Sequence, residues 1–156
     1  MVSKEIRIDL TEYKNPAEAG KEIEALADLA AAAAQDAYAP YSGFHVGAAI
    51  ELADGQVFRA SNQENKAYPS GLCAERTGLF YVQASFPKVA VKRILILAME
   101  KGTLTAEPAF PCGACRQVMV EYQDRHSVPM EVWMVGSNRT LMVKSADDLL
   151  PLKFEF

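Results

Sequence analysis

Apolar residues recur at helical spacing from Pro16 to about Tyr38, through Ile23, Leu26, Leu29 and Ala33. Asn15-Pro16 supplies a cap followed by a proline suited to a first turn, so a helix is predicted to start there and to end at Pro40-Tyr41-Ser42-Gly43. Phe44 to Leu52 and Gln56 to Ala60 then flank Asp54-Gly55, the signature of two strands joined by a hairpin. A polar stretch from Ser61 to Ser70 precedes a second helix, roughly Cys73 to Ser85, which Pro87 closes off. The dense aliphatic run inside Val91 to Met99 reads as a central strand buried on both faces. Lys101 to Phe110 is predicted to be loop, and Pro111 opens a third helix to about Asp124. Met130 to Val135 and Thr140 to Lys144 are two further strands, and Ala146 to Leu150 a short terminal helix. Near the N-terminus, Glu5-Ile6-Arg7-Ile8-Asp9-Leu10 alternates, as an edge strand or a loose arm would. The order α-β-β-α-β-α-β-β predicts one mixed sheet with helices on both faces.

A chain of 156 residues, half apolar and 23% charged, has the length and composition of one globular domain with a sizeable core. Its net charge of −4 gives no overall attraction to a polyanion, so neither nucleic acid nor an anionic membrane surface is an expected partner. No apolar run reaches the roughly 18 residues of a membrane span. Met1-Val2-Ser3-Lys4-Glu5-Ile6 lacks the basic-then-apolar pattern of a secretion signal, so a cytoplasmic location is expected.

The chemistry concentrates in three cysteines. Cys112-Gly113-Ala114-Cys115 is a C-x-x-C pair directly after Pro111, and Cys73 stands alone upstream. An odd number of cysteines with no secretion signal argues against a disulfide framework. Three thiolates suit a soft divalent ion such as zinc and leave one tetrahedral position open, as catalytic sites do. The competing reading is a redox dithiol with Cys73 as an inert buried thiol. Glu75, two residues past Cys73, favours the metal reading, because an unliganded carboxylate beside a metal-activated water is a natural proton shuttle. Both predicted helix starts carry thiols, and the partial positive charge there favours thiolate.

Cys73-Ala74-Glu75-Arg76-Thr77 and Pro111-Cys112-Gly113-Ala114-Cys115-Arg116-Gln117 together resemble the three-cysteine, homotetrameric cytidine deaminases of pyrimidine salvage. Tyr38-Ala39-Pro40-Tyr41-Ser42-Gly43-Phe44, Asn62-Gln63-Glu64-Asn65, Tyr68-Pro69 and Leu149-Leu150-Pro151 extend the match over most of residues 18–154. The resemblance implies an α/β fold, a three-layer α-β-α sandwich with one mixed five-stranded sheet, occupying residues 15–156 behind an N-terminal extension of residues 1–14. It implies Zn2+ on Cys73, Cys112 and Cys115, with Glu75 moving protons between water and the cytosine ring so that cytidine or 2′-deoxycytidine becomes uridine or 2′-deoxyuridine and ammonia. Ala74 would bind near the base through its backbone N–H, Asn62 and Glu64 would hold the ribose hydroxyls, and Phe44 would pack against the nucleoside. Phe154 would reach a neighbouring subunit's site in a homotetramer.

With three thiolates the site's formal charge is +2 − 3 = −1, and Arg76 is expected to offset it by donating to a ligand sulfur. Arg116 is read either in the same way or as an ordinary surface or interface arginine. His45 and His126 fall outside the motifs and are assigned to structure or surface. Gln63 and Lys66 depart from the family pattern and are expected to affect the pocket rim or a subunit contact. Two alternatives remain beside the nucleoside enzyme. One is a deaminase of a nucleoside antibiotic such as blasticidin S, or of RNA bases, and RNA is disfavoured by the acidic charge. The other is a non-catalytic zinc module, which would need a fourth protein ligand.

Overall fold

The apolar segments take up regular structure in the computed structural model, which describes residues 1–154. In chain order these are β1 (Leu10–Tyr13), α1 (Pro16–Ala19), α2 (Lys21–Gln35), β2 (Phe44–Leu52), β3 (Val57–Ser61), α3 (Ala74–Ser85), β4 (Val91–Glu100), β5 (Thr103–Leu104), α4 (Gly113–His126), β6 (Glu131–Val135) and β7 (Thr140–Val143). The strands form one mixed sheet in the order β1-β7-β6-β4-β2-β3, with β5 paired to β4. The β4–β6 pair is parallel and every other pair is antiparallel.

Alternation along β4 explains its uninterrupted aliphatic run. Ile94 and Ile96 enter a core with Leu79 and Val82 of α3 and Met119 and Val120 of α4. Leu95 and Leu97 point the other way, into a core with Ile23, Leu26, Ala30 and Ala34 of α2. Both faces are therefore covered, and the expected three layers are present. The small residues of α2 let it approach the sheet closely. A Cβ on Gly47 of β2 would overlap the Ala30 carbonyl oxygen and lie 2.8 Å from the Ala34 nitrogen.

Several expectations are corrected. The sheet has seven strands rather than five. The added β1 pairs with β7 from Leu10↔Val143 to Tyr13↔Thr140, and Tyr13 stacks on Trp133 at 5.5 Å. The edge strand therefore follows the alternating Glu5–Leu10 segment, shares only Leu10 with it, and leaves residues 5–9 outside regular structure. The added β5 lies in the segment predicted as loop. Lys101 and Gly102 both have positive φ (50° and 77°), which lets a two-residue turn fold Thr103–Leu104 back on β4. Lysine is uncommon at positive φ, which is why the turn carries little sequence signal. The first predicted helix is also divided. Asn15 caps α1 by accepting from the Glu18 N–H at 3.0 Å, but Gly20 at φ 120° breaks the run before α2. That helix ends at Gln35, because Tyr38 pairs instead with the backbone of Gln63. The predicted terminal helix is a single 3-10 turn, Ala146–Leu149.

The topology sets the place of the chemistry. β3 and β4 are both antiparallel to β2, so they run parallel to each other and α3 crosses between them. The β4–α4–β6 connection is a second parallel crossover. Both helices consequently begin at the edge of the sheet where β3 and β4 end and β2 starts. Ligand sites in α/β folds commonly lie outside the carboxyl ends of parallel strands.

The close contact between α2 and β2 is backbone against backbone, so neither side can yield. Gly47→Ala is expected to destabilise the protein by about 3 kcal/mol, the upper end of overpacking costs. Gly113→Ala, which meets nothing within 4 Å at the start of α4, is expected to stay within about 0.5 kcal/mol of the parent. Urea denaturation midpoints of the two variants check both values.

Candidate active site

Cys73 is the N-cap of α3 and Cys112 the N-cap of α4, each in extended backbone (φ −67° and −68°), and Cys115 lies in the first turn of α4. No side chain caps either helix, so first-turn N–H groups and the positive helix ends face the sulfurs. The Cys73 and Cys112 sulfurs are 3.9 Å apart, Cys112 and Cys115 3.5 Å, and all three lie within 4.8 Å of one another. All three are free thiols. Two sulfurs each about 2.3 Å from one tetrahedral ion would be about 3.8 Å apart, so the spacing fits a zinc-sized cation.

The electrostatics agree with that fit. Cys73 is pushed down to about 5 by a hydrogen bond from the Cys115 thiol, with Arg76 adding to the effect. Cys115 is held far above its ordinary value because it gives that hydrogen bond and is buried beside the charges of Glu75 and Cys73. One sulfur thus ionises more readily than its neighbour, and a cation among them would favour the deprotonated form of both. Arg76 Nη2 points at the Cys73 sulfur from 3.8 Å, as expected from the sequence, and its buried Nε has no hydrogen-bond partner. A third sulfur beside the C-x-x-C pair disfavours the simple dithiol reading. Among the described residues the three cysteines form a group that could hold a metal ion, and neither His45 nor His126 belongs to it. The His126 ring pairs with Gln83 Oε1 at 2.9 Å instead.

Glu75 is 4% exposed in the first turn of α3. Burial, reinforced by the negative charge of Cys73, raises its carboxyl from an ordinary 4.5 to about 7. It faces a cleft of about 700 Å³ that also reaches Cys73, Cys112 and Arg76.

Phe44, Asn62 and Glu64 line the same cleft, from the start of β2 and the segment after β3. Asn62 is buried, and its amide accepts from the Val46 N–H at 2.8 Å and donates to the Phe44 carbonyl at 2.9 Å. Glu64 Oε2 accepts from the Tyr41 and Ser42 N–H groups at 2.8 and 3.3 Å, and its hydrogen bonds with Ser42 and Tyr41 hold the carboxyl below its ordinary range. Both residues therefore brace the wall as well as face it. Gln63 is part of that wall, whereas Lys66 is exposed outside it. Ala74 is fully buried and its side chain packs in the core rather than in the cleft. Phe154 is 69% exposed and is not part of the walls.

Sequence reasoning missed an aromatic rim. Tyr41 and Tyr68 meet edge to face at 6.0 Å, and both line the cleft with Phe110. The signal for Phe110 was its place directly before Pro111-Cys112; for the tyrosines it was their place in the matched motifs.

Comparison with known proteins agrees with this geometry. Residues 21–131 match the family model described as the cytidine and deoxycytidylate deaminase zinc-binding region. A cytidine deaminase of Halalkalibacterium halodurans is 45% identical over 89 residues, 57% of this chain, and the match spans 63% of that relative's length. A probable cytidine deaminase of Dictyostelium discoideum is 36% identical over 132 residues, covering 84% of this chain and 82% of the relative. The crystal structure of cytidine deaminase from Burkholderia pseudomallei superposes with a TM-score of 0.72 at 40% identity, over 84% of this chain and 98% of that one. With the family model spanning most of the chain and the three sulfurs gathered beside a buried carboxyl, the protein belongs to the cytidine and deoxycytidylate deaminase family.

Proposed function

We propose that the protein catalyses zinc-dependent hydrolytic deamination of cytidine and 2′-deoxycytidine, giving uridine or 2′-deoxyuridine and ammonia in pyrimidine salvage. The observation that carries this reading is the trio of sulfurs beside Glu75, a buried carboxyl poised near neutrality at one cleft. Catalytic machinery is assigned to residues 15–156, with residues 1–14 as an N-terminal extension that includes edge strand β1. A cytoplasmic homotetramer is the assembly implied by the family resemblance. In it Phe154, exposed and outside the walls of its own chain's cleft, would serve a neighbour's site. Among the described residues no helix is long and apolar enough to cross a membrane.

Cys73, Cys112 and Cys115 would hold the zinc, which supplies a Lewis acid able to make water nucleophilic near neutral pH. Glu75 acts on either side of the attack at C4 of the cytosine ring. Its carboxylate accepts a proton from the attacking water and delivers it to N3. It then takes the remaining proton from the new C4 hydroxyl and passes it to the amino group, so that the C4–N bond breaks, ammonia leaves and the C4 carbonyl forms. Burial raises the Glu75 carboxyl toward neutrality, which suits a group that must both accept and give a proton. Arg76 lowers the negative charge of the three-sulfur set without entering the reaction. Phe44 offers an apolar surface to the nucleoside, and the Ala74 N–H at the start of α3 is directed to the base. Asn62 and Glu64 recognise the ribose hydroxyls while their bonds to β2 and to residues 41–42 keep them in place. The net charge of −4 supports a small nucleoside over RNA.

Glu75→Gln keeps the shape but cannot shuttle protons. It is expected to retain about one zinc per chain while losing at least about 100-fold in cytidine turnover. Elemental analysis and the loss of cytidine absorbance check this, and an active variant sinks the mechanism. Arg76→Ala is expected to keep its zinc and turn over about tenfold more slowly; steady-state kinetics with a metal assay tests it.

The same carboxyl sets a pH dependence in metal-free protein. Its folded value, about 7, lies above the ordinary 4.5, so ionisation costs stability as pH rises through that window. Relative to Glu75→Gln, the parent should be equally stable below pH 4.5 and less stable above pH 7, by up to about 3 kcal/mol at roughly 1.4 kcal/mol per pKa unit. Denaturation of both metal-free proteins from pH 4.5 to 8 measures the difference.

A further inference from the structure

The three metal-ligating cysteines are not equally restrained. Cys115 is fully buried within α4. Cys73 is half-buried, its sulfur meets Arg76, and its carbonyl accepts from Thr77 Oγ1 at 3.1 Å. Cys112 is exposed and lies outside the helix in extended backbone, with its sulfur 3.9 Å from that of Cys73 and 3.5 Å from that of Cys115. What orients it is the backbone on either side. Arg116 holds both neighbouring carbonyls at once. Its amide N–H donates to the Cys112 carbonyl at 3.0 Å, and its side-chain Nε donates to the Pro111 carbonyl at 2.8 Å. With two successive carbonyls bound by one residue, the peptide plane between Pro111 and Cys112 is pinned, and with it the direction of the Cys112 Cα–Cβ bond.

The other arm of the guanidinium, Nη1, donates to the Leu149 carbonyl at 3.1 Å, in the turn near the C-terminus. That turn is itself fixed to α4, because Gln123 Oε1 accepts from Ser145 Oγ and the Ala146 N–H, both at 3.0 Å. The anchor is therefore rigid. A planar fork spanning two carbonyls is a task for arginine, since the lysine ammonium is a single point on a flexible stem. Arg76 addresses a sulfur, whereas Arg116 addresses backbone, so the two arginines of the motifs divide the work.

We propose that Arg116 is a positioning residue: by tying the peptide ahead of Cys112 to the C-terminal turn, it sets the Cys112 sulfur for the metal and makes residues 145–149 part of the metal site's scaffold. This rests on the three cysteines holding a metal, and the test separates the two claims. Cobalt(II) is loaded into the purified parent, Arg116→Lys, Arg116→Gln and Arg125→Gln, the last an exposed arginine at the far end of α4. The d–d and thiolate-to-cobalt absorption bands are recorded, and release to excess chelator is timed.

Arg116→Lys and Arg116→Gln are expected to shift the d–d bands and to release cobalt about 10- to 100-fold faster than the parent, while Arg125→Gln matches it. In the zinc-loaded proteins kcat should fall with KM within about twofold, since the nucleoside-facing wall is untouched. Release within twofold of the parent with unchanged bands in Arg116→Lys overturns the assignment, as does an equal effect in Arg125→Gln. The lysine variant decides if the glutamine variant does not fold. A parent that takes up no cobalt overturns the metal reading itself, and this inference with it.

Discussion

Two helices that begin at one edge of the sheet, each with a cysteine as its N-cap, bring three sulfurs within 4.8 Å of one another. Left to themselves, three thiolates at that separation repel strongly, because burial weakens solvent screening. The surroundings are arranged to relieve the repulsion. Two helix N-termini and the guanidinium of Arg76 act in that direction, as a cation held among the sulfurs would. The same negative charge bears on Glu75, where burial and the nearby Cys73 sulfur hold the proton more tightly than water would. The proposed metal affinity and proton transfer would thus be two consequences of one convergence.

The rest of the fold keeps that edge in order. Small residues bring α2 down onto β2, with Ala30 against Gly47, so one face is sealed while α3 and α4 cover the other. The polar residues of the cleft are engaged by backbone groups as well as facing the opening. Asn62 ties the start of β2 to the segment after β3, and Glu64 gathers the N–H groups of Tyr41 and Ser42. Such residues lose little further freedom when a ligand arrives, which is what preorganised recognition requires.

Much of the fold was legible because its segments carry clear periods. The limits of β2 agree with the aliphatic pattern, and those of β3, β4, β6 and β7 lie within one or two residues of the predicted strands. The elements that were not legible are those with little apolar surface of their own. β5 has two residues and depends on a turn with a lysine at positive φ. β1 has four residues, shares only Leu10 with the alternating Glu5–Leu10 segment, and is fixed by Trp133 and β7 rather than by a pattern of its own. The break at Gly20 was hidden because the apolar period continues across it. At the site, the motifs identified the cysteines, Glu75 and Arg76. The brace formed by Asn62, the rim of Tyr41, Tyr68 and Phe110, and the carbonyl-binding fork of Arg116 all depend on contacts across 16 or more positions or on the direction of a side chain.

The amino-acid order by itself determined the alternation that makes the strands, the caps and breakers that bound most helices, and the placing of thiols at two helix starts. These are local properties, set by backbone sterics and by spacings of a few residues. Only the tertiary structure decided that those starts adjoin, because that depends on two parallel crossovers entering the sheet from one edge. It also decided that Arg116, which the sequence left open, faces carbonyls rather than a sulfur. A guanidinium reaches several ångströms from its Cα, so its partner is fixed by what the fold brings near, not by its neighbours along the chain.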